Sequence, residues 1–437
     1  MNLKFLLIQL NEINFDLVDK YLLSSKKNKF INLKILRETF NSFETYSEDK
    51  YKNLEPWIQW VSVNLGKEFN KHNIFRLGDI VNYPEEKQIF EIIEKRGFKV
   101  GAVSPMNTEN RLKEPAYFIS DPWTNTRSDN SKFSKKISLM LKQTVNDNAI
   151  RGISINSFIT ILEVIFKTFQ FKKTSILFKL IFSSIFKPWK KSLILDYLIH
   201  MIHIYLLKKK IPNFSSIFFN AGAHIQHHYL YSSKYINDFP KNPDWYVSSF
   251  SDPIEDMLEI YDIIIGDYLK LYKNGFNLCI STGLRQVPYN KKKFYYRLKD
   301  HSSFLKKIGI KFLKVSPRMS RDFEIIFENN SDLINSKQIL ENIKNIKDNI
   351  KIFSEIEERD KSLFVTLTYS NEIKKDDNII INNYINLNFF NEVAFVAIKN
   401  GMHDSKGYVF CSPNSSFKIP QQSVHVSTLH DMILKHF

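Results

Sequence analysis

A short apolar run, Ser216-Ile-Phe-Phe219, stops at Asn220, and His224, His227 and His228 follow within the next eight residues. A strand-length apolar run that ends abruptly in polar residues is what a fully covered strand of an open α/β sheet produces. Helices hide both of its faces, and only its carboxyl end meets solvent. Ligands and chemistry collect just past such ends, so a concentration of histidines there marks a site region. A metal centre would normally want a carboxylate where Asn220 stands.

The same grammar recurs along the chain. Leu3–Leu10 reads as a buried first strand and Phe15–Ser24 as a helix. Pro56 opens a helix over Trp57–Leu65, well placed because its missing N–H is unneeded in a first turn. Lys87–Arg96 reads as a helix stopped by Gly97 before a strand at Lys99–Val103, a typical α/β half-unit. From about Asp129 to Asn213 the character changes to helix-length apolar segments punctuated by lysine, at 153–171, 174–186 and 193–210. We expect a helical cap over the carboxyl edge of the sheet, with a face lying on a membrane surface as the alternative. His200 and His203, on one face of the last segment, read as satisfied buried histidines.

The core resumes at Ile217–Phe219, with a helix at Asp252–Tyr272, a strand at Asn277–Ile280 and a helix at Ser302–Ile308. Weaker alternation follows, with strands at Phe312–Val315, Phe323–Phe327 and Leu363–Thr368 and a helix at Ser336–Ile346. Ala394–Ile398 and Tyr408–Cys411 are expected to rejoin the main sheet, and Ser427–His436 to close the chain as a helix. The expected segments are a core at 1–128, the cap at 129–213, more core at 214–310, a small α/β insertion at 311–390, and a last core piece at 391–437.

At 437 residues, 43% apolar and 25% charged, the composition is ordinary for a globular chain. Lys, Asn, Ile and Phe are enriched together, so the net charge of +16 reads as compositional drift. No Lys/Arg block interleaves with stacking aromatics, which argues against nucleic-acid binding. Cys279 and Cys411 sit in apolar strand-like runs, implying no disulfide framework and fitting a reducing, cytoplasmic setting. The N-terminal apolar run is too short for a signal peptide. The stretch Ser175–Phe186 is broken by Lys179 and bounded by Lys187 and Pro188, so no transmembrane helix is expected.

Polar residues mapped onto strand ends give Asn11 and Glu12; Ser104 and Asn107; Asn220 and His224; Ser281, Thr282 and Arg285; His403 and Asp404. Singly, each is an ordinary turn residue. Jointly, they face one cleft if the strands run parallel.

Several segments, in order, resemble the alkaline phosphatase superfamily, nearest its type I phosphodiesterase/nucleotide pyrophosphatase branch. Leu7–Val18 is similar to the opening strand that usually ends in Leu-Asp-Gly. Gly66-Lys-Glu-Phe-Asn-Lys-His-Asn-Ile74 is similar to the element after the nucleophile helix, and Arg96–Val103 to the family's helix-to-strand step. Asn220-x-x-x-His224 has the spacing of Asp-x-x-x-His ligands. Tyr261–Gly266 resembles the helix before the Asp-His strand, and Ser281-Thr-Gly-Leu284 falls where Ser-Asp-His-Gly is expected. Gly401–Gly407 resembles the last metal-binding loop, and Val426–Ile433 the closing helix. The resemblance implies a three-layer α/β/α sandwich around a mostly parallel sheet, carrying a helical cap and a smaller α/β insertion.

It also implies two divalent ions, usually zinc, in a site of three Asp and three His beside a Thr, Ser or Cys nucleophile. Carried over residue by residue, His224 and His403 match ligand positions. Asn11 stands where the first Asp belongs, with Glu12 one residue on. Asn220 replaces a second Asp, and Thr282 and Gly283 replace an Asp-His pair. The usual two-ion site cannot be assembled, because neutral amides leave the dication charge uncompensated. The metal candidates are therefore Asn11, Glu12, Asn220, His224 and His403, for one zinc or manganese ion. Thr282 and Arg285 are the catalytic candidates, Arg285 as a phosphate or sulfate clamp, and His227, His228 and Asn107 the substrate-binding ones.

The nucleophile stays unassigned. Ten residues before Gly66 stands Pro56, Ser62 is on the wrong part of its helix, and Thr45 and Ser47 lie on an expected loop. The function expected is hydrolysis of a phosphodiester, phosphate or sulfate ester, on a small molecule or a polymer. The alternative is a non-catalytic descendant serving as a binding or assembly module. Membrane contact through 153–210 is the third expectation.

Overall fold

The computed structural model describes residues 3–146, 153–318, 321–381, 385–413, 415 and 417–437. The chain divides into two compact units, residues 1–288 with 401–437, and residues 289–400.

The first unit is built on an eight-stranded sheet. Its strands lie in the spatial order Val424–His425, Asn41–Tyr46, Lys406–Cys411, Asn277–Ser281, Phe5–Leu10, Phe214–Phe219, Val100–Val103, Tyr117–Ile119. Neighbours pair in parallel except at Lys406–Cys411, which runs antiparallel to both of its partners. Side chains alternate across the sheet as the strand period requires. Leu6, Ile8, Leu10, Ile217 and Phe219 join one buried layer with the helices Phe15–Ser24, Lys190–Lys210, Ala221–Tyr229 and Pro253–Lys273. Phe5, Leu7, Phe214 and Phe218 join the opposite layer with the helices Pro56–Leu65, Ile89–Lys95 and Thr428–Leu434. This is the expected three-layer sandwich.

Two departures follow from pairing that no local pattern encodes. Ala394–Ile398 does not rejoin the main sheet; it belongs to the strand Val393–Asp404, which pairs with Arg285–Leu298 in a separate two-stranded sheet. Thr45 lies in the strand Asn41–Tyr46 rather than a loop, hidden by polar alternation in which only Phe43 and Thr45 point inward.

The cap is also smaller than expected. Lys132–Asn146, Ile155–Lys167 and Phe171–Ser183 form a helical excursion, but Lys190–Lys210 is a sandwich helix, buried from Asp196 to Leu207 except at Tyr205. His200 Nε2 lies 3.1 Å from Asp267, and His203 bonds the Tyr268 and Ser215 hydroxyls at 2.8 and 2.9 Å. No described helix is long and apolar enough to cross a membrane.

The second unit spans 289–400, wider than the 311–390 expected. It holds an antiparallel four-stranded sheet, a three-stranded sheet, and helices His301–Lys307, Asn330–Glu341 and Phe389–Glu392. The helix expected at Ser336–Ile346 starts earlier because Asn329 caps it, accepting from Asp332 N–H at 2.9 Å. Asp300 likewise caps the helix that follows it.

Candidate functional site

The carboxyl ends of the parallel strands meet at one edge of the sheet. The antiparallel strand Lys406–Cys411 starts at that edge, so the residues just before it, including His403, arrive beside the turn after Phe5–Leu10. There Glu12 is buried in a left-handed conformation (φ 61°) that a side chain rarely adopts. Its N–H donates to the Thr282 carbonyl at 3.0 Å, and its own carbonyl accepts from Gln226 Nε2 at 2.9 Å and Gln286 N–H at 3.2 Å. Three hydrogen bonds thus clamp one strained residue, a cost typical of functional positions.

Around the Glu12 carboxylate three donor atoms converge. Oε2 lies 3.0 Å from His227 Nε2 and 3.3 Å from His403 Nε2, and the two imidazole nitrogens are 3.2 Å apart. Among the described residues these three form the one His/Cys/Asp/Glu group close enough to share an ion. Burial would raise the Glu12 carboxyl, but the charges of His403 and His227 and their hydrogen bonds hold it well below the usual carboxylate value. On its far side, His403 Nδ1 lies 3.6 Å from Glu55 Oε2. A carboxylate there favours the tautomer that leaves the Nε2 lone pair facing the cluster, the usual support for a metal-binding histidine.

Gln286 completes the cluster. Its Nε2 donates to Glu12 Oε2 and lies 2.5 Å from His227 Nε2, while its Oε1 is buried with no hydrogen-bond partner. That oxygen and the Gln226 carbonyl oxygen both border the space left by Gly401, where any Cβ would collide with each. The O and N ends of an amide have the same shape, and exchanging them turns a carbonyl oxygen toward the three ligand atoms. One carboxylate, two imidazoles and an amide oxygen are a donor set suited to one divalent cation.

The helix Ala221–Tyr229 presents His227, and a residue from another helix holds its N-terminus. Asp196 accepts from the N–H groups of Asn220 and Ala221 at 3.2 and 2.9 Å and from the Tyr261 hydroxyl at 2.8 Å. Burial pushes the Asp196 carboxyl up to about 6, against the lowering effect of those bonds. Asn220 makes no capping bond of its own, and its side chain turns to Asn11.

The other expected site residues are distributed as follows. His224 points away from the cluster and is exposed, its ring 4.8 Å from that of half-buried His228. His227, three residues on, is the one of this helix whose ring reaches Glu12 and His403. The ligand position thus falls to His227, which the sequence reading had grouped with substrate contacts. Asn11 Nδ2 donates to Asn220 Oδ1 at 2.8 Å and to Glu12 Oε1 at 3.0 Å, and Trp60 Nε1 donates to Asn11 Oδ1 at 2.8 Å. These amides orient Glu12.

Thr282 Oγ1 is buried and accepts from Tyr408 N–H at 2.9 Å. Arg285 is engaged by Asp404 at 2.8 Å, Asp16 and the Tyr408 hydroxyl at 3.0 Å, which uses the guanidinium within the protein. Asn107 uses its whole amide on backbone, donating to Trp57 and Arg76 carbonyls and accepting from Gly78 and Ile80 N–H groups. It ties loops together and has no donor left for a substrate. Sequence reasoning missed Gln286, Glu55 and Asp196, since no motif or spacing distinguishes them.

No protein-family model matches the chain, and no curated protein sequence does either. Solved structures of alkaline phosphatase superfamily members are among its matches. They include human ectonucleotide pyrophosphatase/phosphodiesterase 5, at 10% identity and a TM-score of 0.40, covering 99% of this chain and 94% of that one. Phosphonoacetate hydrolase from Sinorhizobium meliloti 1021, in complex with phosphonoformate, matches at 9% identity and a TM-score of 0.43, with 100% and 96% covered. The alkaline phosphatase from the Antarctic bacterium TAB5 matches at 10% and 0.42, with 99% and 97% covered. The assignment of site residues stands on the geometry above, not on these likenesses.

Proposed function

We propose that this protein hydrolyses a phosphodiester, phosphate or sulfate ester, of a small molecule or a polymer, using one divalent cation such as zinc or manganese. The observation that carries the reading is the convergence of Glu12, His227 and His403 at the sheet's carboxyl edge. The orphaned Gln286 oxygen supports it as a further donor. When bound, such an ion draws off the negative charge that develops on the ester oxygens and makes water more acidic.

The chain's own residues do the rest. Asn11 and Thr282 fix the Glu12 turn, Glu55 orients His403, and Asp196 anchors the helix that carries His227. The start of helix Pro56–Leu65 offers Glu55 and Pro56 and no hydroxyl, which favours direct attack by water over a covalent intermediate.

The test is a metal analysis of purified protein joined to assays on 4-nitrophenyl phosphate, bis(4-nitrophenyl) phosphate and 4-nitrophenyl sulfate. Near-stoichiometric zinc or manganese, with ester cleavage lost in Glu12→Gln and His403→Ala, is the expected result. Protein that takes up neither ion and cleaves none of the three esters would sink the proposal. One observation favours the second reading, a non-catalytic binding module: Asn11 and Asn220 satisfy each other where charged ligands would normally stand. That reading expects metal-independent stability and no turnover.

A further inference from the structure

The helical excursion before the sandwich helix Lys190–Lys210 is apolar on its outer face as well as on the one that packs on the core. Helix Ile155–Lys167 buries Ser157, Thr160 and Val164 and leaves Phe158, Leu162 and Phe166 exposed. Helix Phe171–Ser183 buries Thr174, Leu177 and Leu180 and leaves Phe171, Phe178 and Phe182 exposed. Phe166 and Phe171 retain 84% and 83% of their accessible surface. An amphipathic helix on a globular protein normally turns its widest apolar stripe to the core. Large apolar side chains exposed along one stripe of each of two successive helices mark an interaction face.

The charges on this face say what covers it. Residues 153–191 contain seven lysines against the single acid Glu163. Lys173, Lys187 and Lys190 pair with Asp267 and Asp256, and Lys167 with Glu163. Lys172, Lys179 and Lys191 make no ion pair among the described residues; the first two lie between the exposed Phe171, Phe178 and Phe182, and Lys191 follows just past Phe186. Protein–protein interface cores are depleted in lysine. Aromatic residues interleaved with unpaired lysines suit the boundary of a bilayer, where rings enter the acyl region and ammonium groups reach anionic headgroups.

The chain just past this face packs against the helix that carries His227. Just past exposed Ile185 and Phe186, Trp189 packs on Tyr229 with ring centroids 5.6 Å apart, and Tyr246 stacks on Tyr229 at 5.1 Å. Tyr229 ends the helix that carries His227. Next to Tyr246, Trp245 is exposed, and Phe250 is 99% exposed.

We infer that residues 153–187, with Trp245 and Phe250, dock this protein on an anionic lipid bilayer, lying in the headgroup layer without crossing it. Docking of this kind needs neither a bound ion nor a working site, so it stands apart from the hydrolase reading.

Flotation of the full chain with vesicles of phosphatidylcholine mixed with phosphatidylglycerol, against phosphatidylcholine alone, tests it. The wild type is expected to float with the mixed vesicles and to be released by high salt. Lys172→Gln/Lys179→Gln/Lys191→Gln should weaken partitioning by about 100-fold, taking each lysine as roughly fivefold at an anionic surface. Phe166→Glu/Phe182→Glu, both exposed and outside the core, should abolish flotation with the melting temperature unchanged. Wild type that stays unbound to the mixed vesicles, or variants that float as it does, would overturn the inference. So would a wild-type dimer in sedimentation velocity that Phe166→Glu/Phe182→Glu converts to monomer, since a second copy would then own the face.

Discussion

Asp196 gives a prediction whose sign and size follow from its surroundings. Its carboxyl is buried at 3% exposure and raised from 3.8 to about 6. Below about pH 4 the side chain is protonated in both folded and unfolded chains. Between 3.8 and about 6 the unfolded chain releases the proton while the folded protein keeps it. Stability therefore falls as pH rises through that window and is level above it. Two to three pH units at ~1.4 kcal/mol each give a loss of about 3 kcal/mol. Asp196→Asn keeps the shape and removes the titration. The stability of wild type minus that of Asp196→Asn should thus drop by about 3 kcal/mol between roughly pH 4 and pH 7. Urea unfolding followed by tryptophan fluorescence reads this directly, because all five tryptophans lie in the first unit. A difference that stays flat with pH, or rises, would refute the buried, proton-retaining carboxyl.

Three further outcomes are expected. Glu12→Gln, which removes the one charged ligand, should lower zinc affinity in calorimetry by at least about 10-fold, and unaltered binding would place the ion elsewhere. Trp60→Phe strands the buried Asn11 oxygen and should cost about 1–3 kcal/mol in denaturant unfolding. Gly66→Ala forces a Cβ into a left-handed residue (φ 66°), 2.7 Å from the His430 ring, and should destabilise by more than the ~1–2 kcal/mol that this conformation alone costs. A Gly66→Ala protein as stable as wild type would refute that packing.

The layers of the sandwich were legible in the sequence because they rest on local periodicity. Buried runs such as Phe5–Leu10 and Phe214–Phe219, a helix closed by Gly97 and the Pro56 start are each written in consecutive residues. The position of the site was legible for the same reason, since strand ends show as apolar runs halted by Asn11 or Asn220. Glu12 and His403 could be picked out at those ends as ligand candidates.

Tertiary structure alone decided which of those residues meet. His227 instead of His224 faces Glu12 because rotation about a helix axis is fixed by what the helix packs against, and Asp196 and Tyr261 set that packing from elements far away in the chain. His403 reaches the cluster because Lys406–Cys411 runs antiparallel, a choice made by pairing across the sheet. Gln286 enters through a two-stranded sheet whose partners are more than a hundred residues apart. Local patterns determine which faces a segment must bury. Long-range pairing determines which polar groups are left facing each other, and the chemistry of this chain rests on the second.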